Sequence, residues 1–381
     1  MGDVEQEREY WREKAREVGK GAVAPRAAEI DAKGEFPWDI VDTFNRAGFL
    51  SLLIPKEFGG QEADITSFCL ICEEIARHCA SSSLLVIVQA VGTMPIALGG
   101  AQEMTENFLT RIVKEGRLVC FCLTEPETGS DAASIRTKAV LKDDHYSLNG
   151  TKCFITNGGV SDFYTIFATT NPGKKMEGIT GFVLEKGTPG LSVGKTEDKM
   201  GIRGSNTTEV ILNDVKVPVS KRIGDEGVGW WLMMRTMNRS RPAIAAQALG
   251  IAQGALDYVI QYGRERDWVK KRDETLGVKF QIADMAVEIE AARALVYKSA
   301  AMMDEKVKGI PVQMFSSMAK YFASDVAMKV TTHAVQILQW EGLLQRHPVE
   351  RMMRDAKVTQ IFEGTNQIQR NVVAHTLLKT R

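Results

Sequence analysis

Cys120-Phe-Cys-Leu-Thr-Glu-Pro-Glu-Thr-Gly-Ser-Asp131 marks the place where the pattern of the chain changes. Its opening reads as a strand, and it closes on a Gly-Ser-Asp turn. Upstream the texture is helical. Ile71 and Ile75, with Glu74 and Arg77, give an apolar stripe with a charged flank. Pro55 and Gly59-Gly60 punctuate a loop, and the apolar segment 81–99 ends at Gly99-Gly100. Downstream, to about Val219, short runs such as HYSLNG, FYTIFATT, ITGFVLE and TTEVILNDV alternate with Asn-Gly, Asn-Pro-Gly, Thr-Pro-Gly and Asn-Asp turns. Strands at such regular spacing predict a small antiparallel β-barrel or sandwich. From Gly227 the helical period returns. Ile282, Met285, Ile289, Ala292, Val296 and Met303 recur at helical steps, and AIAAQALGIAQGAL suits close helix packing. The expected architecture is α+β and multidomain. It has an N-terminal helical domain over 1–117, a central β domain over 118–222 and a C-terminal four-helix-type bundle over 223–381.

Composition narrows the function. The 381 residues carry 48 Lys+Arg against 48 Asp+Glu, so no charge excess draws the chain to nucleic acid or an anionic membrane. The sequence predicts no apolar run of the roughly 18–20 residues that cross a bilayer. The charged start MGDVEQEREYWREKAREVGKG lacks a signal core, so a cytoplasmic location is expected. Six cysteines are too sparse for a disulfide scaffold. The Cys69/Cys72 pair has no second pair at zinc spacing and falls in an amphipathic helix, so buried thiols are expected. The five histidines show no ligand spacing, and no metal site is expected. The charged run Lys270-Lys271-Arg272-Asp273-Glu274 predicts a solvated loop between helices.

Three segments carry chemistry. The Gly-Ser-Asp turn offers backbone N–H groups and a hydroxyl to an anion or a heterocycle edge. In Asn149-Gly-Thr-Lys-Cys-Phe-Ile-Thr-Asn-Gly158, Phe154 and Thr156 share one side of a strand, an arrangement that can shield and hydrogen-bond a planar ring. In Arg354-Asp-Ala-Lys-Val-Thr-Gln-Ile-Phe-Glu-Gly-Thr-Asn-Gln-Ile-Gln-Arg370, Glu363 stands on an apolar turn, where desolvation would raise its pKa toward that of a general base. Each has a plainer reading: a β-turn, a core phenylalanine, and a carboxylate capping the next helix with Gly364 as hinge.

Together, TEPETGSDAASIRTKA, NGTKCFITNGG and RMMRDAKVTQIFEGTNQIQR resemble the acyl-CoA dehydrogenase family, over about Glu29 to Leu378. The resemblance implies FAD between the β domain and the C-terminal bundle. Leu123 and Thr124 would meet the flavin pyrimidine edge, Phe154 would stack near the ring, and Thr156 would bond near N5. Phe121 and Ile155, in the same two segments, are placed with them. Gly129 and Ser130 would face flavin phosphates and the CoA moiety. Asn238-Arg239-Ser240-Arg241 matches the stretch that contacts the CoA ester, with Asn238 and Arg241 as substrate contacts. Glu363 matches the catalytic base; its N–H, beside Gly364, would bind the thioester carbonyl. Some members carry the base at the position of Ser240, and serine cannot serve. Thr365 and Gln367 match residues on the FAD phosphate and adenine side. Arg266 and Gln336 match residues given to a neighbouring subunit's cofactor, so a homotetramer is implied. An electron-transfer flavoprotein is the implied acceptor.

The chain departs from the family at two places. Its Arg266–Gly277 stretch lacks the usual Phe-Gly and has Leu276 where a Gln is expected. Gln339 and Trp340 replace a Gly-Gly. FAD is therefore expected with its ring in the family position and its adenine end held differently or more weakly, with Trp340 or Trp268 available to stack. Val91 and Met94 fall in the segment 84–95 that matches the acyl-pocket helix, and it holds no cation. A short, branched or alicyclic acyl group is preferred over a dicarboxylic one. The alternative on the same scaffold is a non-oxidative acyl-CoA lyase, decarboxylase or isomerase.

Overall fold

The computed structural model describes residues 2–271, 275–306 and 312–379. Six helices come first: α1 (Asp3–Val18), α2 (Ala24–Lys33), α3 (Trp38–Ala47), α4 (Ile65–Ala76), α5 (Ala80–Gly99) and α6 (Gln102–Glu115). Eight strands follow: β1 (Val119–Cys122), β2 (Lys138–Lys142), β3 (His145–Thr156), β4 (Phe163–Thr169), β5 (Ile179–Glu185), β6 (Leu191–Thr196), β7 (Thr207–Pro218) and β8 (Arg222–Ile223). The helices α7 (Gly229–Glu265), α8 (Leu276–Asp304), α9 (Val312–Leu338), α10 (Val349–Thr359) and α11 (Asn366–Lys379) complete the described chain. Lys270 and Lys271 are exposed, and the rest of that charged run, 272–274, lies outside the described residues.

The strands form one sheet in the order β6-β7-β3-β2-β4-β5-β8, with β1 beside β4. Of the expected antiparallel barrel or sandwich, two features need correction: the sheet is not closed into a barrel, and not every pairing is antiparallel. β1 and β4 pair in parallel, β2 touches β4 in parallel at Lys138 and Thr169, and the end strands β6 and β8 do not pair. The reason is the β2–β3 hairpin. It carries the chain back between β1 and β4, and that connection is long enough for a parallel crossover.

Burial is arranged in three cores. The largest joins both helical groups, from Trp11 and Phe44 to Leu249, Val330 and Met352. A second lies between α5, α6 and the sheet, around Phe108, Phe163 and Leu232. The third fills the inner face of the sheet, around Tyr146, Ile155 and Phe182. The small-residue run of α7 lets α4 approach closely. A Cβ on Gly250 would lie 2.3 Å from the Glu73 carbonyl oxygen, and one on Gly254 2.3 Å from that of Arg77. The expectation that no segment reaches bilayer length is also corrected. α5 reaches it by length and composition, with a mean hydropathy of 1.7, and α7 does so with 1.3. Both are core helices here, 83% and 78% buried over those windows. All six cysteines are buried and free, and burial pushes the Cys69 and Cys72 thiols up, away from reactivity.

Candidate active site

The Arg354–Arg370 segment folds as α10, a turn, and α11. Thr365 caps α11, accepting the Ile368 N–H at 3.3 Å, so that task does not fall to Glu363. Glu363 and Gly364 lie in the left-handed region, at φ 54° and 90°. This backbone swings the Glu363 side chain toward α7, where Ser240 Oγ donates to its Oε2 at 3.2 Å. Burial pushes the Glu363 carboxyl above its ordinary range, while the Ser240 hydroxyl, Arg241 and Lys320 pull it back. Arg241 is 4% exposed, and its Nη1 donates to Asn238 Oδ1 at 2.9 Å. Burial lowers its pKa to about 10, against the pull of Glu363. Its Nε is buried without a partner among the described residues. The Glu363 N–H likewise has no acceptor among them. The site thus holds a desolvated carboxylate, a guanidinium with a spare donor and an unused backbone donor.

Sequence reasoning missed Lys320. This α9 residue is fully buried, and its Nζ donates to the Gly364 carbonyl at 2.8 Å and to Asn366 Oδ1 at 3.0 Å. The signal was present: Ser316, Ala319, Ala323 and Ala327 share its stripe at helical spacing, so a lysine there must enter the core.

The two β segments meet. The Cys153 N–H donates to the Thr124 carbonyl at 2.9 Å, setting Thr124 beside Phe154. β3 slips register against β7 between Lys152 and Ile155, and within that bulge Phe154 sits at φ 55°. Phe154 is 64% exposed and therefore no core residue, and Thr156 is half-buried on the same side. Ile155 points the other way into the sheet core, leaving only its backbone for a ligand. Beneath this face Lys152, fully buried, donates to Glu125 Oε1 at 2.7 Å and to the Leu123 carbonyl at 3.1 Å. Glu125 also takes the Arg136 and Thr137 N–H groups at 2.6 and 2.9 Å. The pair staples the 123–137 loop, another feature the sequence reading passed over. Phe121 packs against Phe167 with ring centroids 5.0 Å apart. Gly129 and Ser130 are exposed at the loop tip, and a Cβ on Gly129 would meet nothing within 4 Å.

A third group stands apart. Arg266 lies over the Tyr262 ring at 3.4 Å and within 3.8 Å of Glu341. Arg346 reaches toward the same carboxylate and lies over Trp340, which is 63% exposed. Gln336 and Gln339 are exposed, Gln339 at φ 56°. At 1.5 Å per helical residue, Arg266 is about 39 Å along α7 from Ser240, and Gln339 about 28 Å along α9 from Lys320. Gln367 is exposed on α11. Val91 and Met94 are buried in the large helical core.

Three family domains match in chain order. They are the acyl-CoA dehydrogenase N-terminal domain over residues 5–116, the middle domain over 120–215 and the C-terminal domain over 227–378. The chain belongs to the acyl-CoA dehydrogenase family. It is 46% identical over 369 residues to a cyclohexane-1-carbonyl-CoA dehydrogenase of Geobacter metallireducens, covering 96% of each chain. It is 45% identical over 380 residues to a cyclohex-1-ene-1-carbonyl-CoA dehydrogenase of Syntrophus aciditrophicus, covering 99% of this chain and 91% of the relative. The solved butyryl-CoA dehydrogenase of Megasphaera elsdenii superposes with a TM-score of 0.92 at 40% identity, covering 100% of this chain and 99% of that one. Within this acyl-CoA dehydrogenase, Glu363 with Ser240, Asn238 and Arg241 form one cluster, and Thr124 with Phe154 and Thr156 form another.

Proposed function

We propose that this acyl-CoA dehydrogenase desaturates the α,β bond of a short, branched or alicyclic acyl-CoA thioester, with Glu363 as the base. One observation carries the reading: a carboxylate with a burial-raised pKa hydrogen-bonded to Ser240, beside its own unclaimed N–H. A thioester carbonyl that accepts that N–H loses electron density, and its α-C–H becomes more acidic. Glu363 takes the α-proton, and its raised pKa brings it closer to the weak carbon acid it must deprotonate. Holding the α-carbon in line with the carboxylate supplies much of the rate. The buried Arg241, with its spare Nε–H, offsets the negative charge that forms toward the carbonyl. The alicyclic preference is supported by the two relatives whose names specify cyclohexane and cyclohexene carbonyl thioesters. Val91 and Met94 are the apolar residues assigned to the acyl group, and Gly364 and Ser130 are assigned to the thioester and the CoA moiety.

FAD is the cofactor of this enzyme family, and the β face fits it: an exposed aromatic ring in a strained backbone conformation, flanked by Thr124 and Thr156. When bound, FAD supplies the acceptor for the β-hydrogen as hydride. Leu123 and Thr124 are assigned to the ring edge, Phe154 and Thr156 to its face, and Phe121 and the Ile155 backbone to their support. Gly129, Ser130, Thr365 and Gln367 are assigned to the phosphate side.

The separation along α7 and α9 supports giving Arg266, Gln336, Gln339 and Trp340 to the cofactor of a neighbouring copy in a homotetramer. An electron-transfer flavoprotein as acceptor, a cytoplasmic location and domains over 1–117, 118–222 and 223–381 belong to the same proposal. Bleaching of the flavin absorbance of the purified protein by a panel of acyl-CoAs tests it. Cyclohexane-carbonyl and short-chain thioesters should bleach fastest, and a protein that no acyl-CoA bleaches would overturn the reading.

A further inference from the structure

Glu363 and Gly364 are consecutive residues in the left-handed region, and a non-glycine residue persists there only where its surroundings over-determine it. Those surroundings come from one stretch of α9. Lys320 Nζ donates to the Gly364 carbonyl at 2.8 Å and to Asn366 Oδ1 at 3.0 Å. Asn366 Nδ2 donates to Ser324 Oγ and Asp325 Oδ1, both at 2.8 Å. Asp325 also takes Gln360 Nε2 at 2.7 Å and Arg370 Nη2 at 2.5 Å, so it ties both ends of the turn. From α11, Gln369 Nε2 reaches the Gly364 carbonyl at 3.1 Å. Lys320 is fully buried, and Glu363, Arg241 and Asp325 are the charged groups that face it.

We propose that Lys320 is the positioning residue of the base: by holding the Gly364 carbonyl it fixes the turn that aims the Glu363 carboxylate at Ser240 and leaves the Glu363 N–H free. The proposal rests on reading Glu363 as the base. Burial lowers the Lys320 pKa to about 7, with Glu363 and Asp325 opposing and Arg241 adding to the fall. Charged or neutral, the amine keeps enough N–H donors for both of its acceptors. Only the ammonium also favours the ionised Glu363. Lys320 therefore contributes geometry at every pH and charge below about 7.

The test uses flavin-loaded Lys320→Met, Asn366→Ser and Glu363→Gln proteins and the combined Lys320→Met/Glu363→Gln protein. Lys320→Met should lower kcat roughly 10- to 100-fold through misaim of the base, with KM little changed. The acid limb of its pH profile should move up by roughly one unit, as expected when a close cation is removed from a carboxylate. The infrared carboxyl band that Glu363→Gln abolishes should titrate upward by the same amount. In the Glu363→Gln background, Lys320→Met should change the residual rate no further. A folded, flavin-loaded Lys320→Met protein with the wild-type rate and acid limb overturns the proposal, as does an undiminished loss in the Glu363→Gln background. If Lys320→Met does not fold, Asn366→Ser, which keeps the ammonium but removes one of its two acceptors, should lower kcat by a smaller factor and leave the acid limb in place, and a wild-type kcat there overturns it. Near wild-type activity in Glu363→Gln overturns the base reading and this proposal together. A dead Glu363→Gln with a normal Lys320→Met overturns this proposal alone.

Discussion

Phe154 and Glu363 stand in the left-handed region at almost the same angle, φ 55° and 54°, and the chain holds them there by different means. Around Glu363 the constraint is a set of buried side-chain hydrogen bonds from α9 and α11 onto the turn. Around Phe154 it is backbone: a bulge in the β3–β7 ladder and the Cys153 N–H on Thr124. The electrostatic settings differ as well. Glu363 faces Ser240, Arg241 and Lys320; burial raises its pKa, and those three groups moderate the rise. Phe154 presents 64% of its surface to the outside, and Lys152, two residues before it on the strand, is buried and paired with Glu125. A base needs both a position and a tuned proton affinity, so it is built from polar side chains under low dielectric. A stacking ring needs only a position, and a strand irregularity supplies one.

The largest effect is expected at the polar end of this comparison. Glu363→Gln should keep acyl-CoA binding and lower the bleaching rate by 10²-fold or more, the usual worth of a positioned base. In the wild-type protein the same rate should fall as pH drops through the Glu363 pKa, because the protonated acid cannot accept the α-proton. Burial puts that fall above the ordinary carboxylate range, and stopped-flow bleaching across pH reads it. An acid limb in the ordinary range would mean that water reaches the carboxylate.

The next effect concerns the support of the β face. Lys152→Met strands the Glu125 carboxylate, which is 5% exposed, and should cost about 3–5 kcal/mol in denaturant unfolding. A loss under about 1 kcal/mol would show that the Arg136 and Thr137 N–H groups and the Thr137 hydroxyl hold the loop without the lysine.

The exposed third group should respond less. Replacing Gln339 and Trp340 together by glycine should weaken FAD binding by about 1–3 kcal/mol if the indole stacks on an adenine. Tighter binding in that variant would show a clash instead, and isothermal titration of the apoprotein distinguishes the two.

Phe154→Gly should have the smallest effect on stability. It relieves a left-handed side chain and should gain at most about 1 kcal/mol in thermal unfolding of the apoprotein, while flavin retention falls. A clear destabilisation would make Phe154 a packing residue and erase the contrast with Glu363.

Much of this was legible locally. Turn residues between short apolar runs predicted strands where β1, β3, β4, β5 and β7 lie, while β2, β6 and β8 were not singled out, and helical steps predicted α7 and α8. The outward pairing of Phe154 and Thr156 followed from the two-residue period, with Ile155 turned inward. The parallel crossover of β1 and β4 was not legible, because alternation specifies which face a strand buries and not which neighbour it takes. The apolar length of α5 was underestimated, because its Ser, Gln, Thr and Gly residues break the apolar run in the sequence while the helix as a whole keeps a mean hydropathy of 1.7.

Sequence by itself determined the order of helices and strands, the three motifs, the family resemblance and the presence of a carboxylate on an apolar turn. These are encoded over tens of neighbouring residues, where periodicity, turn chemistry and motif spacing act. Only the tertiary structure decided what that carboxylate meets: Ser240, 123 positions earlier, and a turn clasped by Lys320, 44 positions from Gly364. Desolvation and hydrogen bonding act over a few ångströms in space. Neither the raised pKa of Glu363 nor the burial of Lys320 exists until α7, α9 and the 360–366 turn have docked around one another.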